Sequence, residues 1–131
     1  MLAVARVCRG LAARGVAALR FDATGLGESP GDFAATGFES WVADALAAAE
    51  AMRLAVRPPG AVAGLRLGGA AALATAARLK GARGAAVVNA PASPAHLLGV
   101  LPDLEAVRRH GVAPVTVAGR RVRLGRGLLD E

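Results

Sequence analysis

The stretch Gly64-Leu65-Arg66-Leu67-Gly68 constrains this chain more than any other. An apolar run, Ala61-Val62-Ala63, leads into it, and a small-residue helical segment, Gly69 to Lys80, follows. A strand, a glycine-bracketed turn and a helix in direct succession form the setting of the G-x-S-x-G elbow, where a sharp bend lifts one side chain clear of a sheet. The glycines match, but the centre is Arg66 where that motif has serine. A guanidinium stays protonated at any accessible pH and cannot attack a carbonyl. The bend is suited to a nucleophile and holds none.

Around this bend the hydrophobic pattern alternates between helix and strand periods. Leu2, Val4, Val7, Cys8 and Leu11, with Arg6, Arg9 and Arg14 between them, predict an amphipathic helix over 2–14, ended by Gly15. Val16 to Phe21 reads as a strand, closed by Asp22, and the run from Asp22 to Asp32 as a loop. Thr36-Gly37-Phe38-Glu39 has the form of a capping box, and Phe38, Trp41, Val42, Ala45, Leu46, Ala49 and Met52 follow at helical spacing. Val62 to Leu67 is expected as a second strand, Ala70 to Leu79 as a helix and Ala85 to Asn89 as a third strand. Ser93 to His110 suggests one or two short helices, Pro114 to Ala118 an edge-like strand, and Gly125 to Glu131 the start of a helix. Such alternation predicts an α/β fold, a mainly parallel sheet with helices on both faces. The whole of 1–131 fits one domain, with about 93–113 a cap or connecting segment.

Composition narrows the function classes. Apolar residues make up 54% of the chain, but alanine supplies 33 of its 131 residues and buries little area. A modest core, or a part of a larger one, is expected. The formal charge is +6, and six arginines fall between Arg108 and Arg126. No aromatic residues interleave with them to stack on bases, so nucleic acid is not an expected partner. Cys8 is the single cysteine, which excludes an internal disulfide and suits a reducing, cytoplasmic setting. No apolar run reaches the length of a membrane span. No metal or cofactor is expected, because His96 and His110 stand alone and supply no ligand set.

Leu19-Arg20-Phe21-Asp22, then Gly25-Leu26-Gly27-Glu28-Ser29, then Trp41 and Asp44, then Gly64 to Gly69 occur in a specific order. Together they resemble the α/β-hydrolases, above all the serine-aminopeptidase-like branch that includes hydrolases associated with exosortase systems. The resemblance covers roughly residues 1–92. It implies ester or amide hydrolysis through an acyl-enzyme, with the Leu67 amide as oxyanion donor. It also implies that the opening strands, and the strands that deliver an acid and a histidine, fall outside this sequence. The substrate-binding positions it implies are Arg66 and the loop Gly25, Leu26 and Gly27.

Three readings of Arg66 stay open: a degenerate nucleophile position, an anion-holding group at a helix N-terminus, or a structural arginine. The non-catalytic alternative is therefore a module that binds a carboxylate or other anion. Gly25-x-Gly27 after a strand also admits a nucleotide-binding reading, although Ser29-Pro30-Gly31-Asp32 separates it from the next helix. Asp22 is expected to bond the loop amides of Ala23 and Thr24. Neither His96 nor His110 is placed as a catalytic base, and Ser29, Ser40 and Ser93 lie off the elbow.

Overall fold

The computed structural model describes residues 2–92, 104–117 and 120–129. Its helices are α1 (Leu2–Ala12), α2 (Phe38–Ala55), α3 (Leu67–Arg78) and α4 (Leu104–His110). Strands β1 (Val62–Leu65) and β2 (Ala85–Val88) pair in parallel, with Val62 opposite Ala85 and Leu65 opposite Val88. Strands β3 (Val112–Val117) and β4 (Arg120–Gly125) form a separate antiparallel hairpin. The α/β class expected from the sequence is the one observed. Ser93, His96 and Ala118, for which the sequence carries expectations, lie outside the described residues.

The core lies between the helices and the hairpin. Trp41 and Val42 of α2, Ala71 of α3, Val107 of α4, Ala113 and Val115 of β3, and Leu124 of β4 bury one another. Trp41 anchors it. Its indole N–H donates to the Thr36 hydroxyl at 3.1 Å, and its ring stacks on Phe33 at 5.6 Å with 7° between planes. The alternation of β4 puts Val122 and Leu124 inward and leaves Arg121 and Arg123 exposed. Arg126 is structural, because its guanidinium donates to the Arg108 carbonyl near the end of α4.

Several expectations need correction. Val16–Phe21 pairs with no strand among the described residues, and Val16, Leu19 and Phe21 are exposed. An apolar run becomes a strand only when a neighbouring strand takes up its backbone groups, and no described strand does so here. The edge-like strand expected from Pro114 is β3, which begins two residues earlier, at Val112, and pairs with β4 in the hairpin. Residues Arg126–Leu128 form a single 3₁₀ turn, not the start of an α-helix.

β1 stops at Leu65 and α3 begins at Leu67, three residues before the expected start, because Arg66 bends the chain between them. The cap of α2 is also shifted. Gly37 is its N-cap, so the third helical residue is Ser40, whose hydroxyl accepts from the Gly37 amide at 3.2 Å. Thr36 is thereby released to donate to the Phe33 carbonyl, and Glu39 to pair with Arg78 of α3 at 2.6 Å and 2.8 Å. That hydrogen-bonded pairing lowers the pKa of the Glu39 carboxyl.

Replacing Trp41 tests the anchor. Trp41→Ala is expected to lower the unfolding free energy in urea by about 3–5 kcal/mol, the usual cost of emptying a buried indole site. Trp41→Phe, which keeps much of the packing but loses the bond to Thr36, should cost nearer 1 kcal/mol for the bond itself.

Candidate functional site

The elbow expected from the glycine spacing is present in the backbone. Arg66 has φ 54° and ψ −125°, a conformation that L-residues rarely occupy. Its amide donates to the Val88 carbonyl at 2.9 Å, which ties the bend to the end of β2. Its carbonyl accepts from Gly69 at 2.9 Å and Ala70 at 3.4 Å, which opens α3. A methyl group on Gly64 would collide with the Gly68 carbonyl, and one on Gly69 would stand 2.8 Å from the Ala90 side chain. Gly68, by contrast, has open space where a side chain would go. The tight pair is therefore Gly64 and Gly69.

With the backbone fixed, the Arg66 side chain projects outward. It is exposed, and among the described residues it makes no hydrogen bond or ion pair. Beside it the amides of Leu67 and Gly68 open α3, where backbone donors have no partner within the helix. One residue the sequence reading passed over lies at the same rim. Asn89, directly after β2, has φ 53°, and among the described residues it and Arg66 are the non-glycine residues of positive φ. Asparagine is the side chain that most readily tolerates that region, and this was the available signal. Strained residues gathered at strand ends are a pointer to function.

The loop from Asp22 is the second element of the candidate site. Gly25 and Gly27 have φ 74° and 56°, and a side chain on Gly27 would strike the Asp22 carboxylate. Asp22 accepts from the Glu28 amide at 3.3 Å, and its carbonyl accepts from the Ser29 hydroxyl at 2.6 Å. The expected bonds to Ala23 and Thr24 are not made. Asp44 of α2 takes Thr24 instead, accepting from its amide at 2.8 Å and its hydroxyl at 3.0 Å. The carboxylate of Asp44, outside the loop, therefore positions it, which loop chemistry alone does not reveal. After the loop comes a 3₁₀ turn at Phe33–Ala35, and α2 starts only at Phe38. The loop does not run directly into a helix as a dinucleotide fingerprint requires.

A cleft of about 580 Å³ joins these parts. Leu26, Leu67 and Gly68 line it together, whereas Arg66, Gly25 and Gly27 are not among its walls. His110 ends α4 exposed, and the described residues contain no cluster of metal-binding side chains. No helix among them is long and apolar enough to cross a membrane.

Comparison with known proteins agrees with this geometry. The family model described as serine aminopeptidase, S33, matches residues 1–120. The crystal structure of the esterase domain from a Rhodothermus marinus protein superposes with a TM-score of 0.69 at 37% identity. That match covers 98% of this chain and 48% of the solved one, so the chain spans about half the length of that relative. None of the curated proteins compared matches it. A bend at Arg66 that opens a helix from a parallel strand, together with a family match over residues 1–120, places this chain in the serine aminopeptidase S33 family of α/β-hydrolases.

Proposed function

We propose that this chain keeps the scaffold for ester or amide hydrolysis but lacks its attacking atom, so that alone it forms no acyl-enzyme. The observation that carries this is Arg66 at φ 54° on the strand-to-helix bend, exposed where a nucleophile oxygen would stand. Family membership and the esterase relative support the substrate class, a small-molecule ester or amide. In this reading the Leu67 amide would serve as the oxyanion donor, and its sharing the cleft wall with Leu26 supports that role. No described histidine lies in that wall to serve as a base.

Labelling with a fluorophosphonate probe tests this reading. The wild-type chain should remain unlabelled, and Arg66→Ser should gain at most slow, substoichiometric labelling, because a serine without a base is a poor nucleophile. Stoichiometric labelling of the wild type would refute the proposal.

A second reading draws on the same residue. An exposed guanidinium with no partner among the described residues, beside the amides that open α3, is suited to hold a carboxylate or phosphate. Acetate or phosphate at about 100 times its Kd should then stabilise the fold by about 2.7 kcal/mol, read as a rise in Tm. Arg66→Ala should abolish that rise. No shift with either anion would remove this second reading.

A further inference from the structure

Arg121 and Arg123 give the hairpin a cationic face that neither reading of Arg66 involves. Between Arg108 and Arg126 the sequence holds six arginines and no Asp or Glu. Some of these cations have local roles. Arg108, Arg109 and His110 close the last turn of α4, where positive charge suits a helix C-terminus, and Arg126 donates to the Arg108 carbonyl. Arg121 and Arg123 are both exposed, and among the described residues they make no hydrogen bond or ion pair. They stand two apart on β4 with Val122 between them turned to the core, so they share the outer face at a spacing of about 6.6 Å. Opposite them on β3 are Thr116 and Pro114, also exposed, where acidic residues would have made cross-strand pairs.

We propose that this face docks an acidic, extended segment of a partner polypeptide, whose carboxylates at every second residue meet Arg121 and Arg123 in turn. Charge selects the partner. The face offers two permanent cations without a counter-charge, and an extended chain spaces its alternate side chains as β4 does. The face is defined by charge and not by exposure: an apolar segment laid over it would bury two unpaired guanidinium groups, at high cost. A lipid surface fits less well, because among the described residues no exposed large apolar side chain lies on α4 or the hairpin to enter it. Nucleic acid would find no aromatic side chain there to stack on its bases. A second copy of this chain would bring a like formal charge of +6. Charged residues and proline on a hairpin also discourage strand-to-strand aggregation, but a charge of either sign serves that purpose.

The test uses the 131-residue chain and a labelled peptide of about 16 residues that alternates Glu and Thr, read by fluorescence anisotropy. At about 10 mM salt, where screening acts only beyond about 30 Å, the peptide should bind, and about 150 mM salt should weaken it. A peptide of the same composition that repeats Glu-Glu-Thr-Thr, with no glutamates two apart, should bind about fivefold or more weakly. Arg121→Glu with Arg123→Glu should weaken binding by about tenfold or more while the chain stays monomeric with an unchanged Tm. Should that pair disturb the hairpin, Arg121→Gln with Arg123→Gln carries the same prediction. Arg6→Glu with Arg9→Glu, an equal change of charge on exposed positions of α1, should cost less than about threefold. Absence of binding, indifference to glutamate spacing, or an equal loss from the α1 pair would overturn the proposal. So would tighter binding of phosphatidylserine vesicles or single-stranded DNA through the same two arginines, or aggregation of the Gln pair with peptide binding intact.

Discussion

The near contact of β1 with the start of α3 is the constraint on which the site depends. A methyl group on Gly64 would overlap the Gly68 carbonyl, and Gly69 lies almost against Ala90. A strand and a helix joined this closely leave one residue between them, and that residue must turn through φ 54°. Its amide and carbonyl are both spent on Val88 and on the first turn of α3. The side chain is consequently pushed outward at the ends of the parallel strands, whatever its chemistry. A serine there would be presented for attack. Arginine presents a permanent positive charge in the same geometry.

Features set by local rules were legible in the sequence. The glycine spacing located the elbow, the apolar period located α2, and the density of turn residues marked the loop from Asp22. Features set by partners were not. Val16–Phe21 has strand-like residues, but among the described residues no strand pairs with it. The cap of α2 depended on a choice of one residue, and once Gly37 took it, Thr36 turned to Trp41 and Glu39 to Arg78. The grip of Asp44 on Thr24 joins residues twenty apart, and no short motif announces it. Asn89 carried only the weak signal of a side chain tolerant of left-handed backbone.

The distribution of apolar surface follows from the same arrangement. Packing concentrates where α2, α3, α4 and the hairpin meet, around Trp41, Val42, Val107 and Leu124. The parallel pair gains little from it: Leu65, Val87 and Val88 are exposed, as are Val7 and Leu11 on α1. A chain rich in alanine has few large side chains with which to close such a gap. The elbow thus sits at the end of a strand that β2 holds at one edge and that no described strand pairs with at the other.

The placement of residue 66 at a strained bend is best tested by the equilibrium stability of Arg66→Gly. A non-glycine residue held in such a region costs about 1–3 kcal/mol, which glycine relieves. The urea unfolding free energy of Arg66→Gly is therefore expected to exceed that of the wild type by about 1 kcal/mol. A loss of about 0.5–1 kcal/mol, the usual effect of glycine in ordinary backbone, would contradict the bend and the account built on it.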